Sequence, residues 1–390
     1  VVEGQMLPEV PLPPSEPAER ARAQRLALAT LRNFARTQAV LGPLIAREPQ
    51  QAVMAALRVA TVELLELGEA SHGVVNATVN ALKSDRATVK AAGMANAVLR
   101  RVSEYQGWEA LPVQPLPGWL KRRLKGVYGA ETVAAIEAAH HASPPLDLTM
   151  KPGKPAPDGA EAVGYSHRFP GRLQVSALPG FAEGDWWVQD AAAAMPASLL
   201  AVRPGETVID LCAAPGGKTM QLAAAGAKVT ALDLSEGRLK RLRENLTRTG
   251  LGAEIVCADA LDWTPAEKVD AVLLDAPCSA TGTIRRHPDL PFVRKPADVE
   301  ALTALQAQLL DRALGFLKPG GRLVYCTCSL LPDEGESQIE AALARHPGLT
   351  VRTPALPLGR ATQEGGWRTR PDDHEGGIDG FYMALLHPNG

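Results

Sequence analysis

Asp210-Leu211-Cys212-Ala213-Ala214-Pro215-Gly216-Gly217-Lys218-Thr219 leaves an apolar run, Thr207–Leu211, turns on two glycines and enters a helical stretch. A short apolar run that ends in a Gly-rich turn and restarts at helical spacing opens a βαβ unit. Moving outward, short apolar runs alternate with longer helical segments: Val229–Leu234, Ala253–Cys257, Val269–Leu274 and Arg322–Cys326. That alternation predicts a parallel sheet, with Phe381–Leu386 as a last strand that can run antiparallel.

Upstream the texture differs. Val75, Val79 and Leu82 recur at i, i+4, i+7, and Met94, Ala97, Val98 and Arg101 follow at helical spacing, with no β-rich run from Glu19 to Glu104. An all-helical domain is expected over residues 17–115, behind a Pro-rich, disordered lead-in at 1–16. Pro112–Pro117 is a break, Gly118–Lys125 opens a further helix, and Lys151–Gly164, rich in Gly, Pro and Ala, reads as a loop or insertion. A linker and small subdomain are therefore expected at 116–195, and a catalytic domain at 196–390. No internal repeat is visible. The fold class expected is α + α/β.

The chain has 390 residues, 46% hydrophobic and 22% charged, with a net charge of −2. Such a balance suits an ordinary protein with real cores and gives no global sign of a nucleic-acid partner, so any such binding must come from local basic patches. Five cysteines, none in C-x-x-C spacing, argue for reduced thiols and against a disulfide framework. The start, Val-Val-Glu-Gly, lacks a signal-peptide pattern, and no run of 18 apolar residues exists. A soluble, cytoplasmic protein without membrane association is expected.

The turn at 210–219 admits few ligands. A G-x-x-x-x-G-K-T phosphate loop needs glycine where Cys212 stands, and G-x-G-x-x-G fails because only Gly216-Gly217 is present. What remains is a ligand that wants close backbone and a helix N-terminus but no pyrophosphate cradle. S-adenosylmethionine fits that description. Three acids then stand at three successive strand ends: Asp233, suited to ribose hydroxyls, Asp259, suited to an adenine amino group, and Asp275. Each acid alone reads as a helix cap. Together, after such a turn, they read as a cofactor site.

Asp275-Ala276-Pro277-Cys278 and Thr327-Cys328-Ser329 each follow a buried-strand pattern, so two thiols and a carboxylate converge where open α/β sheets bind ligands. A thiolate is a strong nucleophile, and Arg285, Arg286 and His287, which follow Cys278 closely, are expected to supply the field that favours it there. Pyrimidine C5 is a poor nucleophile until a thiolate adds to C6. The adduct must later lose its C5 proton and expel the enzyme, for which a second group helps. Asp275 suits the ring N3. These residue types do not by themselves say which cysteine attacks. Cys257 and Cys326 read as core packing, and Cys212 as an unreactive pocket lining. Zinc on Cys278, Cys326 and Cys328 lacks a fourth ligand, so no metal is expected.

With these residues in view, Leu211–Thr219, Asp275–Gly282 (DAPCSATG) and Val324–Ser329 (VYCTCS) resemble the motifs of the RNA 5-methylcytosine methyltransferases. Asn96–Arg101 (NAVLRR) resembles the bacterial Fmu/Sun, RsmB-type branch. Trp119-Leu120, Tyr128-Gly129, Pro144–Leu146, Val188–Ala191 and Asp379–Phe381 extend the likeness over about residues 20–388. The resemblance implies a NusB-like helical domain at 17–115, a small RNA-contacting subdomain, and a class I, Rossmann-like methyltransferase domain. It further implies S-adenosylmethionine contacts from Cys212, Ala213, Ala214, Pro215, Gly216, Gly217, Lys218, Asp233, Asp259 and Asp275. Cys328 is implied as the nucleophile on C6 and Cys278 as the group assisting release. The branch modifies 16S rRNA, so that RNA, free or in an early small-subunit assembly particle, is the expected partner, and a monomer the expected state. One departure is Leu148–Lys151 (LTMK), where the family usually reads Leu-Arg-Val-Asn. Two other readings stand beside this one: a transfer-RNA cytosine methyltransferase, and a non-catalytic RNA-binding assembly factor. Lys121–Lys125 and Arg100-Arg101 are candidate phosphate contacts, though such runs are more often solvated helix faces.

Overall fold

The structure, a computed structural model, describes residues 5–7, 10, 16–169, 174–352 and 354–388. The expected lead-in at 1–16 thus lies largely outside the described residues. Two compact units are present: Val1–Arg122, Val133–His141 and His287–Val293 form one, and Arg123–Thr132, Ala142–Arg286 and Arg294–Gly390 the other.

The first unit is helical, with α1 (Pro17–Arg32), α2 (Phe34–Leu41), α3 (Gln51–Leu65), α4 (Ser71–Ser84) and α5 (Ala92–Ser103). Along α3, Val53, Leu57, Ala60 and Leu64 recur at helical spacing and are buried together with Val75 and Leu82 of α4 and Leu99 and Val102 of α5. Arg58, on the same helix, donates to Thr37 Oγ1 at 2.8 Å and lies over the Phe34 ring at 3.9 Å, which makes a mostly buried cation tolerable. A long helical segment, α6 (Gly118–His141), breaks at Gly129, whose φ of 82° and ψ of 165° are open to glycine.

In the second unit, β1 (Leu146–Met150), β2 (Glu161–Val163), β3 (Ser166–Phe169) and β4 (Trp186–Val188) form an antiparallel sheet in the order β2-β3-β1-β4. The stretch expected as a loop therefore ends in a strand. Gly164, at a φ of 58°, lets Val163 turn back to pair with Ser166. The departure at Leu148–Lys151 does not interrupt β1: Leu148 is buried and Thr149 pairs with Trp187.

The main sheet and its helices follow, with α7 (Ala191–Leu200), β5 (Thr207–Leu211), α8 (Gly217–Ala224), β6 (Lys228–Asp233), α9 (Glu236–Thr249), β7 (Glu254–Cys257), β8 (Val269–Asp275), then α10 (Leu290–Val293), which belongs to the first unit, and α11 (Pro296–Gly315), β9 (Leu317–Thr327), α12 (Glu336–Arg345), β10 (Leu349–Val351), β11 (Arg360–Ala361), β12 (Trp367–Thr369) and β13 (Phe381–Pro388). Its order is β11-β12-β13-β9-β8-β5-β6-β7, with β10 also on β13. Strands β9, β8, β5, β6 and β7 are parallel, and β13 is antiparallel to β9. The predicted strands are thus present. β9 starts five residues earlier than Arg322, because Gly320, at a φ of 74°, carries the chain past an irregularity opposite Val269–Ala271 and back into the ladder.

β8 shows why the sheet is central. Val272 and Leu274 pack on one face with Ile209, Leu211 and Tyr325, while Ala271 and Leu273 pack on the other with Val208 and Val324. Each buried Leu or Val contributes roughly 1.5–3 kcal/mol. The strand order reverses between β5 and β8, and the crevice beyond the strand ends at such a reversal is where a ligand sits.

Past β8 the chain meets the β13 approach at two glycines. Gly282 N–H donates to Cys328 O at 2.9 Å, and Gly380 N–H to Gly282 O at 2.8 Å. A Cβ on Gly282 would lie 1.9 Å from Gly380 O. Gly282→Ala is expected to cost about 1–3 kcal/mol or more through this overlap and to lower Tm by several degrees; an unchanged melting curve would mean the two backbones do not touch.

Candidate active site

The parallel register sets Asp275 of β8 opposite Cys326 of β9. Three residues beyond the first is Cys278 and two beyond the second is Cys328, and their sulfurs are 3.4 Å apart. Both thiols are partly exposed, unlike that of Cys326, which is buried. The hydrogen bond to Cys328, then burial, then the negative charge available on Cys328 and Glu334 push the Cys278 thiol well above its ordinary value.

Lys218, on the first turn of α8, donates to Asp275 Oδ2 at 2.7 Å. Burial alone would pull the ammonium down, but Asp275 and its neighbours hold it above the ordinary lysine range. Cys326 Sγ approaches Asp275 Oδ1 at 3.5 Å, and burial with the Asp275 charge keeps it a thiol. A carboxylate and two accessible thiols therefore stand at the ends of two adjacent strands, with an ammonium from α8 on the carboxylate.

The glycine turn lies at the end of β5. Cys212 has a φ of 60°, the Ala214-Pro215 bond is cis, and Gly216 caps α8 at a φ of 102°. Burial, with Asp275 and Asp233 nearby, pushes the Cys212 thiol up to about 12. Asp233 is buried and already accepts from Ala214 N–H at 3.1 Å and Ser235 N–H at 3.0 Å. Asp259 is exposed and caps its own turn through Leu261 N–H at 2.9 Å. Asp210, which sequence reading passed over as a strand residue, is fully buried. Thr219 Oγ1 donates to its Oδ2 at 2.6 Å, while its Oδ1 has no partner among the described residues. Burial pushes its carboxyl up to about 7. Asp210 lines a cavity of about 400 Å³ with Ala213, Gly217, Lys218, Asp275 and Arg286.

Two expectations need correction. Cys257 is exposed, not core, because β7 is the edge strand and its thiol points to Leu234 O at 3.6 Å. Arg285 and Arg286 are not the field around Cys278: Asp190 takes both guanidinium groups, and Asp379 accepts from Arg285 Nε at 2.8 Å and Arg286 Nε at 3.0 Å. Burial would raise the Asp190 carboxyl, yet Arg286 and Arg285 hold it well below the ordinary range. The basic run at 121–125 is a helix face around buried Leu124: Lys121 pairs with Glu137 at 2.8 Å, and Arg122 and Lys125 are exposed. Arg100 and Arg101 are exposed on α5.

Sequence reading also missed Glu334, which is fully buried between the two cysteine loops. An acid in the turn Pro332-Asp333-Glu334-Gly335 looks solvated, and its neighbour Asp333 is. The available signal was the row of hydroxyls, Ser279, Thr281 and Ser329, that surrounds it.

Comparison with known proteins places these features in context. Residues 197–387 match the 16S rRNA methyltransferase RsmB/F family, and residues 9–104 match the NusB family. The ribosomal RNA small subunit methyltransferase B of Salmonella arizonae is 36% identical over 421 aligned residues, covering 99% of this chain and 95% of its own length. The crystal structure of PH0851 superposes with a TM-score of 0.78 at 27% identity, over 95% of this chain and 91% of the other. A methyltransferase homolog protein from Pyrococcus horikoshii superposes with a TM-score of 0.58 at 29% identity, over 68% and 93%.

Oxidation reports on the thiol pair directly. Two sulfurs 3.4 Å apart need to close only to the roughly 2.05 Å of a disulfide. Brief treatment with diamide is expected to link Cys278 to Cys328 before any other pair, as read by non-reducing peptide mapping. Modification of exposed Cys257 alone would place the two thiols out of reach of each other.

Proposed function

The chain belongs to the RsmB/F family of 16S rRNA methyltransferases, and we propose that it methylates C5 of a cytosine through a covalent adduct between Cys328 and C6 of the base. The observation that carries this reading is the Cys278–Cys328 pair at 3.4 Å beside the Lys218–Asp275 ion pair.

S-adenosylmethionine is the methyl donor of the family. The residues fit it. Gly217 begins α8, whose first turn has no side-chain cap among the described residues and can present N–H groups to a carboxylate. The orphaned Asp210 Oδ1 supplies negative charge where a cationic ligand is wanted. Cys212–Lys218, Asp233, Asp259 and Asp275 complete the set proposed to hold the donor. Asp233 would exchange a backbone partner for a ribose hydroxyl. Bound donor contributes an electrophilic methyl group on a sulfonium.

Cys328, as thiolate, adds to C6 and turns C5 into an enamine carbon able to accept the methyl. A proton relayed from Lys218 Nζ through Asp275, 2.7 Å away, would reach ring N3 and neutralise the negative charge that thiolate addition develops there. The C5 proton must then leave and the C6–S bond break. Cys278 suits that task because of what raises its thiol in the free enzyme. Once Cys328 is bound to carbon, it no longer offers a charge or a thiolate acceptor to Cys278. Cys278 then gives up its own proton to solvent more readily, and its thiolate takes the C5 proton while the C6–S electron pair leaves with Cys328 as a thiolate. A stacked cytosine cannot reach a thiolate, so the target lies in a loop or is flipped out. The NusB-family match at residues 9–104 favours ribosomal over transfer RNA as its source.

Incubation of variants with unmodified 16S rRNA and donor tests the roles. Cys278→Ala is expected to accumulate a protein–RNA adduct on a denaturing gel, and Cys328→Ala to form none and transfer no methyl. The opposite pattern would exchange the two assignments, and label in transfer RNA instead would overturn the substrate.

Asp210 adds a pH dependence. Its carboxyl, at about 7 in the free protein, is partly protonated near neutrality. A cationic ligand favours the carboxylate, so donor affinity is expected to rise by about tenfold from about pH 6 to about pH 8 and then level off. Calorimetry on the intact protein checks this, with Asp210→Asn expected to flatten the curve. A dissociation constant independent of pH in the parent would remove Asp210 from the donor site.

A further inference from the structure

Glu334 ends a short turn, Pro332–Glu334, that follows the Cys328 loop, and its side chain is fully buried. Oε1 accepts from Ser279 N–H at 2.8 Å and Gln306 Nε2 at 3.1 Å. Oε2 accepts from Ser279 Oγ and from Ser329 Oγ, each at 2.5 Å. Ser279 immediately follows Cys278 and Ser329 immediately follows Cys328. One carboxylate therefore grips the residue next to each thiol. Its backbone carbonyl accepts from Tyr325 Oη at 2.9 Å and Thr327 Oγ1 at 3.0 Å, so the turn is itself anchored to β9. Gln306 also donates to Pro277 O at 2.8 Å, adding α11 to the clamp. Four neutral donors at one buried acid match the acceptor capacity of an ionised carboxylate. A buried charge satisfied by fixed dipoles is costly to place, and it holds geometry well once placed.

We propose that Glu334 is a positioning residue for methyl transfer: its buried carboxylate ties the Cys278 loop to the Cys328 loop and holds the two sulfurs in the arrangement that methyl transfer needs. The inference rests on the two-cysteine reading and deepens it: the carboxylate holds the residue after Cys278 by two bonds and the residue after Cys328 by one, so its charge bears on the Cys278 thiol. The titratable groups around Cys278 are Tyr325 on β9, Cys328 just beyond it, Glu334 on the turn and, one step removed, Cys326 with the Lys218–Asp275 pair. Arg368 also approaches, donating to Ser329 O at 2.8 Å, but Glu336 neutralises it. Of the residues that raise the Cys278 thiol, Glu334 alone is a carboxylate.

The test compares Glu334→Gln, which removes the charge at equal size, with Glu334→Asp, which keeps it on a shorter arm. The readouts are the pH dependence of Cys278 alkylation by iodoacetamide, followed by peptide mass spectrometry, and the rate of diamide cross-linking of Cys278 to Cys328. Glu334→Gln is expected to shift the midpoint of Cys278 alkylation to lower pH and to slow single-turnover methylation, while Glu334→Asp keeps the parent midpoint. A folded Glu334→Gln with parental alkylation profile and turnover overturns the proposal. If Glu334→Gln does not fold, Ser329→Ala carries the test: removing one tether is expected to slow cross-linking several-fold, and an unchanged rate overturns the clamp. Neither thiol readout requires turnover, so failure of the covalent mechanism, seen as full activity in Cys328→Ala, is distinguishable from failure of this inference.

Discussion

The pairing of β8 with β9 is the constraint on which the site depends. Both strands are buried, run parallel and end at the same level, with Asp275 opposite Cys326. Two cysteines fifty positions apart thereby come to 3.4 Å. The register cannot slip by one, because Val272 and Leu274 fill one core and Ala271 and Leu273 the other, and a shift would exchange the two sets. A purely apolar constraint, laid down far from any polar group, thus sets a distance between reactive atoms.

Around that frame the molecule spends charge on geometry. Asp190 at the start of α7 and Asp379 before β13 share the guanidinium groups of Arg285 and Arg286, which join three distant segments next to the cavity. Burying each ion costs several kcal/mol, and its partners offset that cost only when the hydrogen bonds are complete. Here they are nearly so: Asp190 also caps Ala192 N–H at 2.9 Å and accepts from Asp379 N–H at 3.1 Å. Lys218–Asp275 and the Glu334 cluster follow the same logic. Such arrangements fix orientation more than they add stability.

Much of this was legible in advance, and the exceptions are instructive. Strands β5, β6, β8 and β13 follow from apolar runs and turn residues, which act over a few positions. Cys257 was misread because its run resembles the buried ones and nothing local marks β7 as an edge. Arg285 and Arg286 were assigned to Cys278 on proximity in sequence, whereas their partners lie more than ninety residues away. Glu334 was invisible for the same reason: an acid in a turn looks solvated until Ser279 and Ser329 close over it.

By itself, then, the sequence determined the alternation of strand and helix, the glycine turn, and which residue types stand at strand ends, because periodicity and turn chemistry are local properties of the chain. Which strand lies beside which, and so which thiol meets which carboxylate, was decided only by the tertiary structure. Strand order follows from burying both faces of β8 at once, and partners of buried charges are chosen by the cost of leaving any of them unpaired.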